Sequence, residues 1–163
     1  MASAESRKIR FAETLLRNVN GVVSTTYIKS QSGTPNDAAM KLGRSIIYAT
    51  GNAGLEHEWD IGDSNLVYGL AVAWTFVDAL KHAGANPTRA SLMKALRNLN
   101  ETGANRNPFV FPGMDVKTNQ TRTFPMEQLQ SEQWKGQLNT CNPATGAHCG
   151  DWRKQGTIIN SGF

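Results

Sequence analysis

Apolar residues recur at helical spacing in four stretches of this chain. Residues 4–19 place Ile9, Ala12, Leu16 and Val19 on one face, and Gly21 follows as a stop signal. Residues 37–48 place Ala39, Leu42 and Ile46 on a buried stripe, with Asn36 or Asp37 as the N-cap. A longer helix is predicted from about residues 63–65 to residue 82. Its broad stripe is Val67, Leu70, Ala71, Trp74, Val77, Ala79 and Leu80, and Gly84 stands where a left-handed C′ residue belongs. A last helix over 89–99 opens with Thr88 as N-cap after Pro87, and buries Leu92, Ala95, Leu96 and Leu99. Between these helices, GVVSTTYI (21–28) is β-branched and aromatic and predicts a strand. Residues 29–36 form a loop, and residues 49–65, ATGNAGLEHEWDIGDSN, keep neither period and read as a long connection.

Beyond Asn100 the pattern changes. Short strand-like runs at 109–111, 114–118, 123–130 and 156–159 are separated by turn residues. The predicted order is helix, strand, three helices, then short strands: an α/β class. Three one-sided helices need a flat apolar surface to cover, normally a sheet. Only one good early strand is available for it, so the chain is short of sheet.

Composition changes this picture little. The 163 residues fit one domain of ordinary size, and 39% hydrophobic with 18% charged residues is globular composition. No window approaches 18 uninterrupted apolar residues, and residues 1–21 lack the apolar core of a signal peptide. The net charge is +4, but beyond Arg7, Lys8, Arg10 and Arg17 the cations are scattered, which reads as a solvated face and not a nucleic-acid patch.

Candidate chemistry is sparse. Cys141 and Cys149 enclose NPATGAH, a turn-rich loop that a disulfide could close; metal binding by Cys141, His148, Cys149 and Asp151 is the rival, against which the missing second close Cys pair counts. A disulfide would imply an oxidising compartment. His82, in the last turn of a helix, suits a structural role with the dipole. His57 sits between Glu56 and Glu58 without the second His of HExxH. Asp60 and Asp63 fit a calcium loop poorly and a helix cap better. GxSxG, GxxxxGK[ST] and GxGxxG are absent, so the expectation is a non-catalytic binding protein without cofactor. Asn100-Glu-Thr and Asn119-Gln-Thr match the glycosylation triplet, a pattern common by chance.

Residues 67–99, VYGLAVAWTFVDALKHAGANPTRASLMKALRNL, resemble the C-terminal half of substrate-binding proteins of ABC transporters in the branched-chain amino-acid (Leu/Ile/Val-binding) family. A Tyr-Gly near the helix start, AL..AG at its end and TR.S...AL.NL afterwards carry the resemblance. GVVSTTYIKS, FVFPGMDVKTNQTRTFPMEQLQSEQW and WRKQGTII agree with flanking family segments in the same order, so the likeness spans about residues 20–160. Two departures are Thr121-Arg122-Thr123, where relatives often carry Asp, and the loop between Cys141 and Cys149, which looks inserted at a hairpin tip.

The resemblance implies a partial type 1 periplasmic-binding fold. Residues 1–28 would end the second lobe, 29–113 would supply first-lobe helices, and 114–163 would return as strands with the Cys-closed insertion. It implies a small-molecule solute as ligand, a membrane permease as partner, an N-terminal half supplied upstream, and a periplasmic or extracellular location for the whole protein. A ligand-sensing receptor on the same fold is the alternative. Candidate ligand contacts by position are Asp63, Ser64 and Asn65 at the start of the long helix, where capping is an equal reading, and Tyr27 at a hinge strand. The chain alone is expected to bind ligand weakly or not at all, and to self-associate through its uncovered apolar stripes.

Overall fold

A computed structural model describes residues 19–31, 36–136 and 150–160. The helix expected over 4–19 lies outside these residues except for its last, Val19, which is helical. Cys141, His148 and Cys149 also lie outside them.

The order of elements is β1 (Val23–Thr26), α1 (Ala38–Ala49), α2 (Ala53–Ile61), α3 (Ser64–Ala83), α4 (Arg89–Leu96), β2 (Asn100–Glu101), a 3-10 turn (Gly103–Asn105), β3 (Val116–Lys117), β4 (Gln128–Gly136) and β5 (Gly150–Asn160). The fold is mixed helix and sheet. The described residues fall into two compact units. The first comprises 19–26, 130–136 and 150–157. The second comprises 27–31, 36–129 and 158–160.

The first unit is a three-stranded sheet in the order β1-β4-β5. β1 pairs antiparallel with β4, Val23 opposite Gln133 and Thr26 opposite Gln130. Trp134 and Trp152 meet edge-on at 5.6 Å. Gly150 has no side chain for a reason of space: a Cβ there would lie 2.5 Å from the Trp134 ring and 2.6 Å from the Lys135 carbonyl oxygen.

The second unit holds the helices. Their starts follow from local chemistry. Asp37, Asn52 and Asp63 each accept a hydrogen bond from a backbone N–H of the first turn, and Thr88 forms a capping box with Ser91. The helix Ala53–Ile61 corrects the expectation of a connection over 49–65. Asn52 caps it, Gly62 ends it in the left-handed conformation (φ 86°), and it meets the core through Leu55 and Trp59, one turn apart. Two apolar positions are too few to mark a period.

That missed helix also corrects the stripe on α1. Ala39, Met40, Gly43 and Ile47 are buried, while Leu42 and Ile46 are exposed. Trp59 seats over Gly43, which turns that side of α1 inward. On α3 the buried line is Val67, Ala71 and Ala79, and Trp74 and Val77 of the expected stripe are exposed. Gly84 has a positive φ of 95° but an extended ψ of 177°, so it leaves the helix in a conformation other than the expected left-handed one.

Two hydrophobic clusters share α3. Ala39, Met40, Ile47, Trp59, Val67, Ala71 and Phe109 form one; Ala79, Leu99, Val110, Phe111, Met114 and Val116 form the other. The run 109–111 joins both: Phe109 enters the first and Val110 the second. It is held antiparallel to 27–29 by Lys29 N–H donating to the Phe109 carbonyl at 2.9 Å and Phe111 N–H to the Tyr27 carbonyl at 3.0 Å. β2 and β3 form a two-residue antiparallel pair, with Glu101 opposite Val116.

Candidate functional site

Along one flank of α3, Tyr68, Val72 and Phe76 are spaced four apart, which places them in one row on the helix. They form one wall of a groove of about 380 Å³ in the second unit. Leu96, Leu99, Val110 and Val116 supply the apolar opposite side, and Thr118, Thr123, Pro125 and Met126 close it. Thr75 and Asn107 are the polar groups on the α3 side. Tyr27 also lines the groove; burial, and then the neighbouring Tyr68 hydroxyl, push its phenol above the ordinary value. An apolar trough with a few placed hydroxyls can bury an apolar body and orient it by hydrogen bonds.

Asn107 fixes the groove's floor. Its Nδ2 donates to the Ala71 carbonyl at 2.8 Å and to Thr75 Oγ1 at 3.1 Å, and its Oδ1 accepts from Phe109 N–H at 3.1 Å. Thr75 in turn donates to Glu101 Oε2 at 3.0 Å.

The sequence-derived candidates are not brought together. Tyr27 is in the groove; Asp63, Ser64 and Asn65 are not among its lining. Asp63 caps α3 by accepting from Asn65 N–H at 2.8 Å, and its carbonyl accepts from Gln31 Nε2 at 2.9 Å. Ser64 and Asn65 are exposed in the first turn. Asp60 is engaged by the Tyr48 hydroxyl, which donates to its carboxylate at 2.8 Å. His82 lies 2.9 Å from the Asp78 carbonyl oxygen through Nδ1, a contact within its own helix. Among the described residues no group of three His, Cys, Asp or Glu side chains is placed to hold a metal.

Arg122 pairs with Glu127 at 3.1 Å. Nearby, Asp115 is bracketed by Arg106 and Lys117, each at 3.1 Å. Burial alone would raise its carboxyl, but these two cations outweigh it and hold it below the ordinary value. Asp115, Lys117, Arg122 and Glu127, with Gln128 and Asn160, line a smaller hollow of about 280 Å³, in which each carboxylate already has its cation.

Sequence reasoning missed Tyr68, Val72 and Phe76 as a wall, and Glu101 and Asn107 beneath it. A signal for the first three existed: α3 carries two apolar rows, and only one can face a given core. Glu101 and Asn107 stand among turn-forming residues, where no period singles them out.

No known protein family, curated protein or solved structure matches this chain. No helix among the described residues is long and apolar enough to cross a membrane.

Proposed function

We propose that the chain forms the C-terminal half of a solute-binding protein serving an ABC uptake transporter, with an amino acid or small organic acid as ligand and no catalytic role. The observation that carries this reading is the uncovered second row of α3. Tyr68, Val72 and Phe76 are 48%, 51% and 47% exposed, on a helix whose other row is buried. A helix apolar on both rows belongs between two layers, and the described residues supply one. The resemblance of residues 20–160 to the C-terminal half of that family names what the other layer is: a sheet from an N-terminal half.

The connectivity is consistent with this reading. The chain passes between its two units three times, at 26–27, 129–130 and 157–158. Several strand crossings between two bodies suit a receptor whose lobes move as units about short hinges. Tyr27 stands at the first crossing and lines the groove.

Light scattering tests the uncovered row. The isolated chain is expected to self-associate, and co-production with an N-terminal half of the proposed receptor is expected to give a one-to-one complex. A stable monomer that ignores such a half contradicts the proposal.

A further inference from the structure

Glu101 is a carboxyl group in an enclosed place. It is 1% exposed, on a two-residue strand whose partner at the same register is the buried Val116. One oxygen, Oε2, accepts from the Thr75 hydroxyl at 3.0 Å. The other, Oε1, is buried without a hydrogen-bond partner among the described residues. A buried carboxylate normally collects two or three donors or a cation; among the described residues this one has the Thr75 hydroxyl at hydrogen-bond distance and the weaker help of the Asn107 side chain.

The surrounding charges make ionisation harder. From α3, Asp78 stands one turn beyond Thr75 and repels a negative charge; His82 is engaged with Asp78. From the β3 side, Lys117 is next to Val116 and pairs with Asp115 at 3.1 Å. From the loop before Asn107, Arg106 also pairs with Asp115 at 3.1 Å. The nearby cations are therefore spent on another carboxylate. Burial, and after it Asp78, raise the Glu101 carboxyl above the ordinary value against the partial opposition of Thr75 and Asn107.

We propose that Glu101 is a buried proton latch, which holds α3 against β2 while neutral and loosens that contact when it ionises. The neutral acid keeps the Thr75 hydrogen bond and needs no counter-charge. Ionisation places an unpaired charge in the core, and the cheapest relief is to part β2 from α3 and admit water to Oε1. Thr75 and Asn107 line the groove, so the latch sits one hydrogen bond below its floor. The groove would then change shape with pH without any titrating group in its lining taking part.

The sign follows from linkage. A carboxyl whose folded value lies above its unfolded value costs nothing when both states are protonated. Its penalty grows as pH rises from the unfolded value through the folded one. Each unit of displacement is tenfold in the unfolding equilibrium.

Urea unfolding of the parent and of Glu101→Gln between pH 5 and pH 8 tests the proposal. Gln keeps the shape and the acceptor for Thr75 but cannot ionise. The parent's unfolding constant should rise relative to that of the variant as pH climbs across the range, tenfold for each unit of displacement; the other titrating groups are common to both and cancel. Parallel pH profiles overturn the proposal. If the variant does not fold, infrared spectroscopy of parent protein labelled with carboxyl-13C glutamate decides. A protonated-acid carbonyl band persisting above the titration range of the exposed glutamates supports the latch, and its absence overturns it.

Discussion

Trp59 packs directly against Gly43: a Cβ added at residue 43 would come within 2.6 Å of the indole Cη2 and 2.9 Å of Leu70 Cδ1. The contact joins α1 to α2 and brings α3 into the same cluster. Gly43→Ala should therefore destabilise the second unit by about 1–3 kcal/mol through overpacking, and Trp59→Ala by about 3–5 kcal/mol through the cavity it leaves. Urea unfolding with an unchanged denaturant slope checks both. A neutral Gly43→Ala would show that the indole is not seated there.

Lys29 and Asp37 form the best-placed ion pair of the second unit, Nζ to Oδ2 at 2.9 Å, with the Lys29 side chain only 10% exposed. Burial would raise the Asp37 carboxyl, but Lys29 and the N–H of Ala39 outweigh it and hold it below its ordinary value of 3.8. A depressed carboxyl contributes stability that is present above the unfolded value and is lost as pH falls through the folded one. Acid unfolding of Asp37→Asn should accordingly show a shallower fall below about pH 4 than the parent. At neutral pH, Asp37→Ala should cost more than Lys29→Met, because it strands a buried ammonium as well as removing a helix cap. Equal costs would contradict this.

Asn107 makes three hydrogen bonds from a side chain that is 1% exposed, to Ala71, Thr75 and Phe109. Asn107→Ala leaves the Phe109 N–H and the Ala71 carbonyl without that partner. The expected cost is about 1–3 kcal/mol per group left unsatisfied. Amide hydrogen exchange should locate the loss at 107–111 and the middle of α3, and faster exchange confined to the sheet of the first unit would contradict it.

How much of this was legible in the sequence depends on where the determinant lies. Helix starts at Asp37, Asp63 and Thr88 are set by one side chain and its next two or three N–H groups, so the sequence points to Thr88 outright and narrows the other two to Asn36 or Asp37 and to one of residues 63–65. Which face a helix buries is a tertiary matter. Leu42 and Ile46 are as apolar as Met40 and Ile47, and distant partners, among them Trp59, Val67 and Phe109, decide between them. Strands were the least legible. The run 109–111 makes one bridge, while β4 extends to Gly136 through Ser131, Glu132 and Lys135, polar residues that pairing with β1 and β5 holds extended. At the candidate site, Tyr27 was visible as an aromatic in a strand. Glu101 and Asn107 act through neighbours 26 and 32 residues distant from Thr75, and no local pattern carries that.

Val72→Glu with Phe76→Glu places two charges on the exposed row of α3. Because both side chains already face solvent, stability should change by no more than about 0.5 kcal/mol per site, while self-association of the isolated chain should disappear by light scattering. A double variant that unfolds would show that this row is already covered.

The central claim is that this chain is half of a solute receptor. Titration calorimetry with leucine, phenylalanine and small carboxylates tests it most directly, on the isolated chain and on the chain co-produced with an N-terminal half of the proposed receptor. Saturable heat from at least one of these ligands with the two halves together, and none with the isolated chain, is the predicted result; saturable binding by the isolated monomer would contradict it.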